Sequence, residues 1–364
     1  MKILMLAAAG NIHTIRWSNE LSRLGHEVVI VTEKGQENFA HKIDNNIKQY
    51  VLKFSGKIGY YLNALELKKL LKKIKPDVIN VHCASGYGTL CRIARIHPVV
   101  LNVWGSDVFN FPSNFIKKRI IIKNLKYANA LASTSYGMAD RVKELLNNDQ
   151  VNVTIVPFGV DTEKFVPMQK NNDKKCFVFG CIKAYTYNYG IDQLIKAFKL
   201  VLDKWETLDL KERKPQLVLY GRGVDKNDFI KLSKELNIYD DIIFNDFIAN
   251  EDVPKALSQF DVSCFPSIEE SFGVSAVESM ACAVPVIASK TVGFSEVIED
   301  NVSGLLFEIN DVNKLAELMW YVYTNQDIIS KLGKASRERV LELYDRRENV
   351  KTLEYILKKN MKKD

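Results

Sequence analysis

Two glutamates eight residues apart, Glu270 and Glu278, lie in the segment FPSIEESFGVSAVESMACAVPVIAS (265–289). The pattern places Glu270 just before the start of a helix and Glu278 about two turns into it. A carboxylate at such a turn can accept hydrogen bonds from the hydroxyls of a sugar, and a second, deeper one can accept them from a ribose. In the alternative interpretation Ser275 caps the helix, Glu270 stabilises its N-terminus, and Glu278 lies on a solvated face. Spacing alone leaves both interpretations open.

The turn before this helix also offers backbone donors. Exposed N–H groups at a helix N-terminus, together with the helix dipole, form an anion-binding position that needs no metal ion. Gly273 would let the backbone approach such a ligand closely. The residues expected to line this position are Ser271, Phe272, Gly273 and Val274.

Common phosphate-binding and metal-binding fingerprints are missing from the sequence. Gly10 stands alone in the first turn, AAAGNIHTIR, and neither Gly86–Gly88 nor Gly221–Gly223 is completed to GxGxxG. The sequence also lacks an Asp-x-Asp pair and the glycine-rich loop that ends in Gly-Lys-Ser or Gly-Lys-Thr. These absences disfavour NAD and NTP chemistries, and we expect neither a cofactor nor a metal site.

The elements that must position these residues follow one alternating pattern. Short β-branched runs alternate with longer helical stretches, such as 60–74, which is typical of parallel sheets with helices on both faces. The predicted strands are 2–8, 26–32, 78–82, 99–104, 130–134 and 153–157, then 176–182, 216–221, 242–247, 262–266, 285–289 and 304–308. A chain of 364 residues exceeds what one core usually supports. The sequence therefore predicts two doubly wound α/β domains, joined near Pro157, Gly159 and Pro167, with ligands at the carboxyl ends of the strands.

Charge divides unevenly between the two halves. Residues 1–160 contain 22 Lys and Arg against 11 Asp and Glu, whereas residues 161–364 contain 29 against 33. Two basic stretches with helical spacing, 67–76 and 114–128, could lie on an anionic membrane surface or could solubilise packed helices. The second is more apolar than solvation requires. Neither has the interleaved aromatic residues of a nucleic-acid platform, so we expect no nucleic-acid partner.

The cysteines and the first residues bear on the compartment. Six cysteines form no CxxC motif and lie in apolar runs, which is typical of a reducing compartment. The start, MKILMLAAAGNIH, predicts a first core strand rather than a signal peptide, because it leads directly into a helical pattern. No uncharged apolar stretch approaches the roughly 20 residues that span a bilayer. We therefore expect a cytoplasmic protein, with the basic first half as a possible contact with the membrane.

Several ordered motifs accompany the two glutamates. They are GHEVVIVT, SGYG, WGSDV, VPFGVDTEKF, YGIDQLIKAF and VGFSEVIEDNVSGLLFE. With the two glutamates as an E-x7-E signature, the sequence resembles the retaining glycosyltransferases of family 4 over nearly its whole length. The resemblance implies the GT-B fold, in which two Rossmann-like domains face a cleft and the last helix (347–360) crosses back. It implies an acceptor-side domain at 1–160 with 345–364, and a nucleotide-sugar domain at 161–344.

The same resemblance implies an activity. The expected reaction transfers a sugar from a nucleotide sugar with retention of configuration and without a metal, and family frequency favours UDP. The expected acceptor is a glycan or lipid-linked molecule in surface polysaccharide or glycoconjugate synthesis. Two alternatives stay open: a nucleotide-sugar epimerase of the same fold, and a catalytically silent partner of another transferase.

The resemblance also implies roles for residues of the second half. Glu270 would contact the donor sugar and stabilise the charge that develops as its bond to phosphate breaks, and Glu278 would hold the ribose. Lys183 would meet the diphosphate at the position of the family's arginine. Tyr189 stands where the family usually has lysine, so either Lys183 and the helix-start amides suffice or Arg222 contributes.

The first half supplies further candidates. Gly10 and Asn11 would border the diphosphate. Trp104 stands in WGSD where the family often has histidine, and it either stacks on a sugar ring or belongs to the core. Asp107 follows a tight turn at a strand end, where we expect a catalytic carboxylate rather than a turn cap.

Four more residues are predicted on the acceptor side of the same domain: His13, His82, Ser85 and Tyr87. Both histidines lie near the rim formed by the ends of the strands. An isolated histidine is more often structural, so that alternative stays open for each of them.

Overall fold

The computed structural model describes residues 1–38, 42–168, 176–208 and 213–362. The chain forms two compact units. Unit 1 comprises Met1–Phe158 with Arg347–Asp364, and unit 2 comprises Gly159–Arg346. Each unit is built around one parallel sheet, so the predicted fold class is confirmed.

Unit 1 contains a seven-stranded parallel sheet in the order β3-β2-β1-β4-β5-β6-β7. Its strands are β1 Lys2–Leu6, β2 Glu27–Glu33, β3 Lys48–Leu52, β4 Val78–His82, β5 Val99–Val103, β6 Ala130–Ser133 and β7 Val153–Ile155. Its helices up to this point are α1 Ile12–Arg23, α2 Gly56–Leu62, α3 Ala64–Ile74, α4 Gly86–Ala94, α5 Phe115–Tyr127 and α6 Tyr136–Leu146. The central strands β4 and β5 are buried along their whole length. Because helices cover both faces, these strands read as continuous apolar runs rather than alternating ones.

Unit 2 contains a six-stranded parallel sheet in the order β10-β9-β8-β11-β12-β13. Its strands are β8 Cys176–Ile182, β9 Lys214–Tyr220, β10 Ile242–Asn245, β11 Val262–Phe265, β12 Val286–Ser289 and β13 Leu305–Phe307. Its helices are α7 Ile191–Thr207, α8 Lys226–Glu235, α9 Val253–Leu257, α10 Val274–Ala281, α11 Val292–Val297, α12 Val312–Thr324 and α13 Gln326–Leu343. The strand order reverses between β8 and β11, and ligands of such sheets bind at that point.

The last helix, α14 Arg346–Lys359, returns the chain to unit 1. Glu354 Oε1 lies 2.7 Å from His26 Nε2. Farther along, the backbone N–H of Lys362 donates to the carbonyl of Asp77 at 3.0 Å. The predicted crossing of the last helix is thus confirmed.

Three elements, β3, α11 and α13, were absent from the expectation, and one predicted helix is split. Strand β3 is an edge strand whose only fully buried residue is Leu52, and the polar helix α13 likewise lacks a strong apolar stripe. The single helix predicted at 60–74 is instead α2 and α3, which meet at Asn63. The Asn63 amide exchanges two hydrogen bonds with the backbone of Phe54, at 2.9 and 3.0 Å, and this tertiary contact fixes the break.

Two groups of exposed large apolar side chains on unit 1 lie on helices close in sequence to basic residues. One group lies on α2 and the start of α3, and the other at the start of α5, where Phe115 and Ile116 are 75% and 72% exposed. Among the residues that the structure describes, no helix combines the length and apolarity needed to cross a membrane.

Candidate active site

The candidate site of unit 2 lies where the strand order reverses. Lys183 directly follows β8, and Glu270 lies in the loop that leads from β11 to α10. Since β8 and β11 are neighbouring parallel strands, their carboxyl ends bring these two residues together from 87 positions apart in the chain. The sequence predicted both residues, and the structure places them in direct contact.

Lys183 and Glu270 form a largely buried ion pair. The Lys183 Nζ donates a hydrogen bond to Glu270 Oε2, and the two side chains are 10% and 15% exposed. Burial by itself lowers the pKa of Lys183, but the charge of Glu270 and the hydrogen bond to it outweigh burial and raise the pKa above its ordinary value. The site therefore holds a charged ammonium beside a carboxylate.

Two aromatic rings surround the Lys183 ammonium. Its Nζ lies 4.7 Å from the ring centre of Tyr189 and 5.9 Å from that of Phe294. Both distances lie within the range of a cation–π attraction. Tyr189 therefore adds no second positive charge to the site, but its ring contacts the ammonium of Lys183. The sequence did not predict this contact, because it depends on the fold of the turn Tyr187–Tyr189.

Gly293 lets α11 approach the loop that carries Glu270. A Cβ at Gly293 would lie 2.4 Å from the backbone nitrogen of Phe272, so only glycine fits this contact. The Gly293 N–H donates to the carbonyl of Glu270 at 2.9 Å. The loop is therefore held by backbone contacts, and the sequence offered no sign of this beyond the motif VGFSEV.

Gly273 begins α10. Its φ of 97° lies in the left-handed region, and a Cβ there would lie 2.7 Å from the Phe294 ring. Within the described residues, the N–H groups of Gly273, Val274 and Ser275 have no hydrogen-bond acceptor. With the helix dipole, these donors give the start of α10 the positive character that an anion-binding position requires. Gly273 rather than Ser275 is the N-cap, so the alternative of a serine cap is wrong.

Glu278 is the fifth residue of α10 and is only 7% exposed. The alternative that placed it on a solvated face is therefore wrong. The Asn250 side chain, in the loop after β10, donates to Glu278 Oε1 at 3.4 Å. Asn250 was not predicted, since no local pattern links it to a helix 24 residues later. The two signature glutamates thus flank the start of α10, one before it and one a turn inside.

Arg222 is more exposed than the other predicted residues of this site. The Arg222 guanidinium is exposed and lies 5.2 Å from the ring centre of Phe247. The backbone carbonyl of Arg222 accepts the N–H of Tyr185, so the turn after β9 packs on the turn that carries Lys183. Ser271 is half-buried and Phe272 is buried. Arg222 therefore borders the site edge without contacting the Lys183–Glu270 pair.

Gly10 and Asn11 lie at the corresponding edge of unit 1. Asn11 caps α1, and its side-chain oxygen accepts the N–H of His13 at 2.8 Å. The Gly10 N–H donates to the carbonyl of Gln36 at 2.9 Å. Gly10 is exposed, so a ligand can reach this turn.

An aromatic cluster lies beside that turn. His13 stacks on Phe158 with ring centres 3.9 Å apart, and Trp104 lies 5.2 Å from Phe158 and 4.3 Å from His82. The Trp104 indole N–H is buried with no hydrogen-bond partner in the described structure. These ring contacts favour a packing role for Trp104, although Trp104 and His13 are both half-buried.

His82 lies deep in the same cluster. Its side chain is 1% exposed, and its ring nitrogens lie 3.4 Å from Thr14 Oγ1 and 3.1 Å from Asn80 Nδ2. Burial lowers its pKa to about 3, so the ring is neutral near pH 7. These surroundings favour the structural alternative over acceptor contact.

Asp107 is 3% exposed and its oxygens are occupied by the backbone. Oδ2 accepts the N–H of Ala84 at 2.7 Å, and Oδ1 accepts the N–H groups of Trp104 and Gly105 at 3.1 and 3.0 Å. Burial raises the pKa of Asp107, while these donors act in the opposite direction. The contacts correct the expectation of a catalytic carboxylate: Asp107 caps the turn and ties it to the end of β4.

Tyr87 and Ser85 also lie away from open solvent. Tyr87 is 3% exposed, and its hydroxyl donates to Gln36 Oε1 at 2.8 Å and accepts the N–H of Glu33 at 3.1 Å. Ser85 is half-buried at the start of α4, and its carbonyl accepts the Thr89 hydroxyl. The geometry gives Tyr87 an internal role and leaves Ser85 as the more accessible of the two.

Comparison with known proteins identifies the class that this fold and site define. A family model described as Glycosyl transferases group 1 matches residues 162–339, and one described as Glycosyl transferase 4-like matches residues 2–135. The chain belongs to the GT4-like glycosyltransferases of the GT-B fold, and the expectation of an enzyme that transfers a sugar is confirmed.

Individual relatives agree with this class at low identity. The chain is 21% identical to N-acetyl-alpha-D-glucosaminyl L-malate synthase of Bacillus anthracis over 77% of this chain and 74% of the relative. It is 25% identical to UDP-Gal:alpha-D-GlcNAc-diphosphoundecaprenol alpha-1,3-galactosyltransferase of Escherichia coli over 76% and 74%. Its fold is similar to that of Anabaena Alr3699/HepE in complex with UDP, with a TM-score of 0.78, 16% identity and coverage of 99% and 100%.

Proposed function

We propose that this protein is a retaining, metal-independent glycosyltransferase that uses a UDP-sugar as donor. One observation carries the proposal: the buried Lys183–Glu270 pair stands beside the N–H groups at the start of α10. A cation and oriented backbone dipoles are the groups that neutralise a departing diphosphate. The adjacent carboxylate suits the hydroxyls and the developing positive charge of a hexose.

Each group then has a place along the donor. The diphosphate binds the N–H groups of Gly273 and Val274 and the ammonium of Lys183. Glu278, with Asn250 beside it, accepts the ribose hydroxyls. UDP as the nucleotide is supported by the Escherichia coli relative, whose name specifies UDP-Gal, and by the similar Anabaena fold, which holds UDP.

The proposed chemistry is substitution on one face of the sugar. The acceptor oxygen forms a bond to the anomeric carbon on the side from which the diphosphate leaves, and the bond from that carbon to the phosphate oxygen breaks. The hydroxyl proton passes to the departing phosphate, so UDP leaves carrying it. Lys183 stabilises the charge that grows on the phosphate, and Glu270 stabilises the positive charge on the sugar.

The proposed acceptor is a glycan or a lipid-linked sugar in surface polysaccharide or glycoconjugate synthesis. The name of the Escherichia coli relative specifies such a lipid-linked acceptor. On unit 1 the exposed Phe115 and Ile116 stand next to Lys117, Lys118 and Arg119 at the start of α5. Apolar tips beside basic residues suit peripheral contact with an anionic membrane. Vesicle sedimentation of a Phe115→Ser/Ile116→Ser variant tests this contact, and unchanged sedimentation would count against it.

UDP release from a panel of UDP-sugars, with and without glycan acceptors, tests the transferase proposal. We expect release that an acceptor accelerates, a product with the donor's anomeric configuration by NMR, and no loss of rate in EDTA. An inverted product would refute retention, and an EDTA-sensitive rate would refute metal independence. Sugar conversion without any acceptor would instead indicate an epimerase.

A further inference from the structure

A basic cavity lies at the opposite end of the unit 1 sheet from the aromatic cluster. It has a volume of about 820 Å³ and opens at the amino ends of β4 and β5, where α3 and α4 end. Its basic lining residues are Lys68, Lys72, Lys75, Arg95, His97 and Lys362. Leu71, Ile79 and Ile96 supply apolar wall. The cavity is therefore both cationic and partly apolar.

Within residues 1–38, 42–168, 176–208 and 213–362, no acidic side chain balances the charge of this cavity. Among the described residues, the four lysines and Arg95 form no ion pair, and no acidic side chain lines the cavity. Asp77, two residues after Lys75, has its carboxylate bonded to the backbone N–H of Lys2 at 2.6 Å. The carboxyl ends of α3 and α4 together contribute about one negative charge. A large net positive charge therefore remains for a ligand.

The backbone at two of these cations is also unusual. Lys75 and Arg95 have φ values of 52° and 50°, in the left-handed region, and each ends a helix. That position favours glycine or asparagine, because the Cβ of other residues approaches a carbonyl oxygen. Four of the eight non-glycine residues described with positive φ are asparagine, whereas both basic ones line this cavity. Non-glycine residues in this conformation cluster at functional sites.

His97 adds an oriented ring at the rim. Its Nδ1 lies 2.9 Å from Asn129 Oδ1, an acceptor, so Nδ1 carries the proton that Nε2 lacks in the neutral ring. Tyr127 packs against the ring at 4.3 Å between centres. His97 therefore has a fixed orientation at the rim, where its ring can report on a ligand that enters the cavity.

We propose that this cavity binds a phosphate group carried by a partly apolar molecule. Phosphate oxygens match the lysines and Arg95, and the apolar wall accommodates the group that bears the phosphate. The source is either a phospholipid headgroup or a soluble phosphate ester. This site is separate from the donor site of unit 2 and does not depend on the proposed function.

The test follows His97 directly. Inorganic phosphate is titrated into protein with histidine isotope-labelled at Cε1, and the His97 NMR signal is assigned with His97→Gln. We expect saturable shifts of that signal in the wild type. A Lys72→Glu/Arg95→Glu variant should bind phosphate at least about tenfold more weakly. The matched control is Lys34→Glu/Lys48→Glu, which makes the same charge change at exposed positions of unit 1.

Sedimentation with phosphatidylglycerol and with phosphatidylcholine vesicles separates the sources. Loss of phosphatidylglycerol binding in the cavity variant, but not in the control, assigns a lipid headgroup. Equal vesicle binding by both variants, with phosphate binding lost only in the cavity variant, assigns a soluble ester. An unresponsive His97 signal, or equal weakening in both variants, overturns the proposal. UDP binding measured on the same proteins reports the donor site independently.

Discussion

The carboxyl ends of the central strands form equivalent edges in units 1 and 2, but the polar side chains at the two edges differ in exposure and in hydrogen bonding. In unit 2 Lys183 and Glu270 pair while staying 10% and 15% exposed, next to N–H groups that no described residue uses. In unit 1 Asp107 and His82 are 3% and 1% exposed, and their polar atoms contact other groups of the same unit.

This difference shows what separates a site from a polar core. A polar residue at a strand end can bind a ligand only if some of its hydrogen-bond donors or acceptors are not already used within the protein. The two carboxylate oxygens of Asp107 accept hydrogen bonds from three backbone N–H groups, so few acceptor positions remain for a substrate. The start of α10 leaves donors unused, which is costly in the absence of a partner and favourable when an anion binds.

The largest expected effect comes from removing the only charge of the Lys183–Glu270 pair that can neutralise phosphate. Lys183→Met should lower kcat for sugar transfer by about 10³-fold, as loss of an electrostatic stabiliser does in other enzymes. Steady-state kinetics with a UDP-sugar measures it. Lys196→Met, at an exposed lysine of α7 paired with Asp192, is the control and should stay near the wild-type rate. A mild loss at Lys183 would remove this pair from the mechanism.

The next effect concerns the start of α10. Gly273→Ala should reduce the free energy of unfolding by about 2–3 kcal/mol, because it combines a disfavoured φ with a Cβ 2.7 Å from Phe294. Urea denaturation measures the change.

Gly25→Ala is the matched control for Gly273→Ala. Gly25 has φ of 85° with nothing within 4 Å of its added Cβ, so it reports backbone strain alone. We expect a loss of about 1 kcal/mol there. Equal losses at the two glycines would show that the contact with Phe294 contributes nothing.

The buried ring of His82, at the carboxyl edge of the unit 1 sheet, predicts a pH effect on stability. The folded-state pKa of His82, about 3, lies below the ordinary value of 6.5, so the stability it contributes is present at neutral pH and declines as pH falls below 6.5. Between pH 7.5 and pH 5 the wild type should lose about 2 kcal/mol on this account. His82→Gln should remove that part of the decline, measured by urea denaturation at both pH values.

Activity completes that test. Near pH 7.5, His82→Gln protein that remains folded should transfer sugar at close to the wild-type rate. A large fall in kcat with an intact fold would show that His82 contacts the acceptor. The carboxyl edge of unit 1 would then hold a functional residue, as that of unit 2 does.

The smallest effect tests the ring below the ammonium. Tyr189→Ala should lower kcat about fivefold, since a cation–π contact is worth about 1 kcal/mol. Tyr189→Phe keeps the ring 4.7 Å from Nζ and should stay within about twofold of the wild type. If both variants lose activity equally, the hydroxyl and not the ring is what matters.

The sequence was sufficient for the fold class and for three residues of the unit 2 edge, Glu270, Glu278 and Lys183. Alternating β-branched runs and helical stretches require parallel sheets, and Glu270 follows a predicted strand. The role of Lys183 came from the resemblance to family 4 glycosyltransferases. The positions of strand ends and helix starts are local information, because neighbouring residues in the sequence determine them. Edge strand β3 and the polar helix α13 lacked that local signal and were missed.

Only the tertiary structure decided which polar residues keep capacity for a ligand. Asp107 and Glu270 look alike in sequence, each a carboxylate after a strand, yet one is enclosed by backbone donors and the other meets a lysine 87 residues away. Asn250 beside Glu278 and Phe294 beneath Gly273 likewise come from distant segments. Burial and hydrogen bonding depend on what the rest of the chain packs against a residue, and no spacing of neighbours contains that information.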